Sequence, residues 1–210
     1  MYEKGLGIPK NINKAIHFYK KSFETAISNA TKANSAFSLG FLYYEGVDVK
    51  KDPLEAAKWL QYSVDFGGSG TQTLKYLLSR PEVYVHLNKK QFSSEVSNLD
   101  KSELKNIKTL YAQKKYDEVF RLVNKHALGG NVEAQEALAQ LYWNGQGVKQ
   151  SRGQASRWWF LAAENGLAHS QQQLGSLYLE GGIVPIDRET GMNWLRRAAD
   201  QGYAASQNDL

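Results

Sequence analysis

Four histidines, His17, His86, His126 and His169, are the side chains of this 210-residue chain best suited to proton transfer or metal ligation near neutral pH. They lie far apart in sequence, and none stands in a His-Glu-x-x-His spacing that would set two ligands on one helix face. The chain has no cysteine, which removes disulfide staples, thiol catalysis, iron–sulfur ligation and cysteine zinc sites. Gly67-Gly68-Ser69-Gly70-Thr71 falls short of a Gly-x-Ser-x-Gly nucleophile elbow, and no apolar strand precedes it. Two glycine-spaced stretches, starting at Gly5 and Gly145, resemble nucleotide loops superficially, but they recur with a structural period and follow helices rather than strands. They read as turns between helices. No catalytic residue, cofactor or metal site is expected, so the chemistry to look for is that of binding.

Composition sets the elements that carry such binding. Alanine and leucine total 43 residues against 18 for valine and isoleucine, so the apolar residues are helix formers rather than strand formers. With 42% hydrophobic residues and a mean hydropathy of -0.52, neither a disordered tail nor a membrane span is expected. The net charge of +5 is carried largely by scattered lysines of the first half, such as Lys20, Lys21, Lys50, Lys51, Lys89 and Lys90. A solvated lysine-rich surface explains them, although an acidic partner would also suit them.

The organisation comes from a repeat. Shifted by 36 positions, Leu138 falls on Leu174, Tyr142 on Tyr178, Gly145 on Gly181, Val148 on Val184, Trp158 on Trp194 and Gly166 on Gly202. At an offset of 99 the same frame recurs as Leu39, Tyr43, Gly46, Val49, Trp59 and Gly67. A period of this size means stacked units, each too small to bury its own apolar face. In each unit a first helix carries the Leu and Tyr four apart; a glycine loop follows, then a second helix with Ala155, Trp158 and Ala162 inward. Asn11, Asp52, Ser151 and Asp187 stand where the second helices should begin, and all four are N-cap types. Pro53 and Glu55 strengthen the second of them. Gly67, Gly166 and Gly202 mark the ends of those helices. Trp59, Trp158 and Trp194 read as core fillers, whereas Trp159, next to a filled slot, is open to a half-exposed or a buried placement.

The run Ala-Leu-Ala-Gln-Leu-Tyr-Trp-Asn-Gly-Gln-Gly-Val at 137–148, followed by Ala155, Trp158-Trp159, Ala162-Ala163 and Gly166, closely resembles the Sel-1-like repeat family, relatives of the tetratricopeptide repeats. The resemblance implies an all-α fold, a right-handed α/α superhelical solenoid of helix pairs. Clear units cover about 2–26, 35–67, 134–166 and 170–202; 68–99 and 100–130 are divergent, and 203–210 is partial. The whole chain, 1–210, is expected to form a single array cut from a longer solenoid, because Tyr2 and Leu210 both fall inside first helices and no polar cap is visible. Five extra residues between the first two units must lengthen the turn around Asn29 to Ser35 or the helix ends beside it. Pro81 with Val83-Tyr84-Val85 is expected to form a loop or extended connection, before a short helix around Lys90 to Leu99. In the pair at 100–130, Tyr111, Tyr116 and Val119 are placed on the inner stripe. Units of this family are sometimes stapled by disulfides, and these must hold by aromatic and alanine packing alone.

Carried over from the related tetratricopeptide fold, the concave face falls on the non-framework positions of the first helices. It comprises Asn34, Phe37, Phe41, Tyr44 and Glu45 in one unit, and Glu133, Glu136, Gln140, Trp143 and Asn144 in another. His169, Gln172, Ser176, Leu179 and Glu180 follow in the last. The candidate partner-binding set is Phe37, Phe41, Tyr44, Glu136, Gln140, Trp143, Asn144, Gln172 and Leu179. Phe37, Phe41 and Tyr44 recur at spacings of four and three, an aromatic stripe that could anchor an interface. The five-residue insertion could instead fold back and make Phe37 and Phe41 ordinary core.

The resemblance implies a non-catalytic protein–protein interaction module: an adaptor, scaffold or inhibitor. Its partner would be another protein, such as a secreted toxic effector neutralised by a bacterial immunity protein, or a membrane-associated complex. Periplasm and cytoplasm both fit. The alternative is a glycan-binding or assembly platform of an envelope enzyme complex, its rings stacking on sugars. Nucleic-acid binding is disfavoured because arginine is sparse and the basic residues are not interleaved with a defined aromatic motif.

Overall fold

The structure, a computed structural model, describes residues 11–88, 100–203 and 206. Among these the chain is all-α, and it divides into two compact units, Met1–Leu78 and Ser79–Leu210. The first contains α1 (Ile12–Thr25), α2 (Asn29–Glu45), α3 (Pro53–Asp65) and α4 (Thr71–Leu78). The second contains α5 (Pro81–Leu87), α6 (Lys101–Ala112), α7 (Tyr116–Leu128), α8 (Val132–Asn144), α9 (Arg152–Glu164), α10 (Ala168–Glu180) and α11 (Arg188–Asp200). Within α1–α4 and within α6–α11 each helix packs on the next, the arrangement of a helix-pair repeat. None of the described helices is long and apolar enough to cross a membrane.

Each of the four candidate caps opens its helix. The side chains of Asn11, Asp52, Ser151 and Asp187 accept hydrogen bonds from backbone N–H groups of the first helical turn. Three of them do a second thing that periodicity does not disclose. The backbone N–H of Asp52, Ser151 and Asp187 donates to the carbonyl of Tyr43, Tyr142 and Tyr178, at 3.0, 2.9 and 2.9 Å. One residue therefore starts the second helix and ties it to the end of the first. The chain turns left-handed at Gly67, Gly166 and Gly202, where second helices end.

Packing between the paired helices is tight. Leu39, Leu138 and Leu174 are fully buried, and a side chain at Gly40 or Gly175 would strike the Cγ of Leu60 or Leu195 at 2.7 or 2.6 Å. Gln135 and Gln171, one period apart, bridge successive repeats: their side-chain amides donate to the carbonyls of Ala127 and Ala163, which end the preceding second helices. The tryptophans fill the remaining space. Trp158 and Trp194 are buried and Trp59 is half-buried, as core fillers should be. Trp159 is also buried, at 2% exposure, because its ring meets Trp143 at 5.1 Å between α8 and α9.

Three local expectations need correction or refinement. Of the two placements expected for the five extra residues, a longer turn or longer helix ends, the second holds: α2 runs 17 residues where α8 and α10 run 13, so four of the five form an added helical turn. Residues 81–87 are helical rather than extended. Pro81 sits at the first position, where its missing N–H costs nothing, and Pro81, Val83 and Val85 are buried as α5 packs on α9. That burial outweighs the strand preference of the valines. In α6, Tyr111 is 44% exposed and does not face inward, although Val119 of α7 does. The short helix anticipated at 90–99, the framework residues Tyr2 and Gly5, and Leu210 lie outside the described residues.

In the loop after α8, Gly147 permits a close approach of backbone to backbone. Its φ is +67°, and a Cβ there would lie 2.1 Å from the carbonyl oxygen of Tyr116. Only glycine lets the loop after α8 close onto the start of α7.

Candidate functional site

In the first unit the aromatic stripe forms a connected row. Phe37 and Phe41 stack with centroids 5.9 Å apart and planes at 25°; Phe41 reaches Tyr44 at 6.1 Å. Tyr44 then meets Tyr76 edge-on at 6.3 Å, so the row passes from α2 onto α4. The ammonium of Lys51 lies 5.6 Å from the centre of the Tyr44 ring. Phe41 and Tyr76 are 42% and 45% exposed, while Phe37 and Tyr44 are half-buried. The added helical turn extends α2 before this row instead of folding back over it. Tyr76 belongs to the divergent stretch, which lacks the repeat pattern. Its signal in sequence is only an aromatic residue on a short amphipathic helix.

In the second unit polar residues stand at the positions equivalent to the two phenylalanines. Where the first unit has Phe37, Phe41 and Tyr44, α8 has Glu136, Gln140 and Trp143, and α10 has Gln172, Ser176 and Leu179. Glu136 and His169 form a short hydrogen-bonded ion pair that joins α8 to α10. The pair raises the His169 pKa against the opposing effect of partial burial. A polar chain continues from it along α10. The Gln173 amide lies 3.1 Å from His169 Nε2 and donates to Gln172, whose own amide donates to Ser176.

Trp143 is half-buried, packed on Trp159 and capped by the Arg152 guanidinium 4.9 Å from its ring centre. Leu179 is half-buried against Gly191, where a Cβ would approach it to 3.0 Å. Gln140 and Asn144 are exposed. Thus the structure links Phe37, Phe41 and Tyr44 in one cluster and Glu136 with Gln172 through His169 and Gln173. Trp143 and Leu179 each rest on the second helix of their own pair.

A different face of the second unit is covered from within. The short helix α5 lies on α9, with the Arg157 guanidinium 3.3 Å from the centre of the Tyr84 ring and His86 6.4 Å from Phe160. Just before α5, Arg80 donates to Glu82 at 2.7 Å and to Asp187 at 2.9 Å. The buried hydroxyl of Tyr178 donates to Glu82 through a short bond. Burial and then the Glu82 carboxylate raise the Tyr178 pKa, so the phenol stays a donor.

The model of the Sel1 repeat matches residues 1–24, 33–65, 132–167 and 168–203, together more than half of the chain. Two solved structures are similar to this chain. One is a protective antigen present in uropathogenic Escherichia coli strains and displaying an SLR fold: 22% identity, 98% of this chain, TM-score 0.47. This chain spans 45% of its length. The other is a Sel1 repeat protein from Oxalobacter formigenes, with 23% identity over 100% of this chain and 73% of that one, at a TM-score of 0.43. By the four matched segments the chain belongs to the Sel1 repeat family, whose members generally act in protein–protein interaction.

Proposed function

We propose that this chain is a non-catalytic interaction module, and that in its first unit a partner protein is held by Phe37, Phe41, Tyr44 and Tyr76. The observation that carries this reading is the row itself: four rings, each in contact with the next, across two helices, with Phe41 and Tyr76 exposed. Large rings presented this way supply contact area at little entropic cost and dominate interface energies. In the second unit Glu136, Gln140, Trp143, Asn144, Gln172 and Leu179 occupy the equivalent helices, the four polar residues offering hydrogen bonds and Trp143 and Leu179 apolar contact. The partner would be an effector to be neutralised or a component of an assembly.

The test is capture of partners by the whole chain, followed by affinity measurement with the purified partner. Substituting Phe37, Phe41 and Tyr76 by alanine together should weaken binding at least about a hundredfold, as loss of clustered anchors does. Unchanged affinity in a variant with unchanged helicity overturns the reading. Saturable binding to a sugar array, lost in the same variant, would replace the protein partner by a glycan.

A further inference from the structure

We infer that the second unit holds a separate seat, a groove between α6 and α8 that takes one bulky apolar side chain from an acidic peptide segment. The floor of the groove is Val119 and Val123 of α7 with Leu141 of α8, all buried. Ile107 and Ala137 form opposite walls, and the cavity has a volume of about 280 Å³. That is slightly below the range of about 300–1,000 Å³ usual for small-molecule sites, so it suits a single side chain better than a whole cofactor. A floor of three aliphatic side chains suits leucine, isoleucine or phenylalanine.

The groove exists because the first helices are linked differently along the unit. Between α8 and α10 the Glu136–His169 pair spans the gap. Between α6 and the loop after α8 the Tyr111 hydroxyl donates to Gln146 at 3.3 Å, and the cavity over the apolar floor remains beside that bond. Gln140, at the position filled by Phe41 in the first unit, also lines the groove.

Charge selects the flanks of the occupant. Lys101, Lys105 and Lys108 recur on α6 at spacings of four and three, all exposed, and Lys108 lines the groove. Among the described residues no ion pair engages them. Glu103 of the same helix is instead directed to His126 at 3.5 Å. On the opposite wall Glu133 stands one turn before Ala137, so the acidic residues of the occupant belong on the α6 side.

The seat is tested by selecting short random displayed peptides on the whole chain and on Ala137→Phe, which fills the groove without altering charge. Peptides retained by the wild type and lost on A137F should share a leucine, isoleucine or phenylalanine beside aspartate or glutamate. Replacing that residue by serine should weaken binding at least about tenfold, and the exposed double variant Lys105→Glu/Lys108→Glu should do the same, with affinity falling as salt rises. In the methyl NMR spectrum the selected peptide should shift Val119, Val123 and Leu141. The proposal is overturned if A137F retains the same peptides, if serine replaces the anchor without loss, or if those methyls do not move. Alanine at Phe37 and Phe41 should leave this binding intact, so failure of the aromatic row and failure of the groove are separately visible.

Discussion

The Arg80 guanidinium meets the Asp187 carboxylate at 2.9 Å across 107 positions of sequence, joining the residue before α5 to the cap of α11. Asp187 thus serves three partners: its side chain accepts from Thr190 N–H and from Arg80, and its backbone N–H donates to Tyr178. Although desolvation acts the other way, the Thr190 N–H and Arg80 hold its pKa below the ordinary carboxylate value. Asp187→Ala should cost about 1–2 kcal/mol in chemical denaturation, the loss of a cap plus a partly buried pair. Because the folded pKa lies below the unfolded one, this stabilisation is complete above about pH 4 and fades as pH falls through the folded value. The gap between wild type and Asp187→Ala should close in acid; a constant gap would show that the carboxylate charge is not what matters.

His169 carries the opposite sign. Its pKa is raised by Glu136, so the stabilisation is full below the ordinary histidine value of about 6.5 and is lost as pH rises through the higher folded pKa. Histidine titration by NMR should show the His169 midpoint dropping in Glu136→Gln. A midpoint that stays put would contradict the pairing across α8 and α10.

The aromatic row and the framework beneath it should separate cleanly. Phe41→Ala, at a ring 42% exposed, should change stability by less than about 1 kcal/mol. Leu39→Ala, two residues earlier but fully buried, should cost about 2–5 kcal/mol. Thermal melts of the two variants decide this, and comparable losses would mean that Phe41 is part of the core.

Two glycines make a matched pair. Gly147→Ala forces a Cβ against the Tyr116 carbonyl in a left-handed turn and should destabilise by about 2 kcal/mol or more. Gly153→Ala, in the first turn of α9 with open space around its Cβ position, should be neutral or stabilising by up to about 1 kcal/mol. Equal melting temperatures for both variants would refute the close approach of the loop to α7.

How much of this was legible follows the range of each interaction. The caps Asn11, Asp52, Ser151 and Asp187 act within three residues, and the Leu and Tyr framework acts within four, so type and spacing alone located them. Phe37, Phe41 and Tyr44 were visible for the same reason, as neighbours on one helix. Tyr76, which extends that row, was not, because its contact with Tyr44 crosses 32 positions and a stretch without the repeat pattern. The sequence by itself determined the helix-pair period, the caps, the core leucines and the absence of thiol chemistry. Only tertiary structure decided that residues 81–87 coil into a helix on α9, that Trp159 is enclosed, and that Arg80 reaches Asp187. The first two depend on burial against another helix, which for residues 81–87 overrides the local strand preference, and the third is a charged hydrogen bond between residues 107 positions apart.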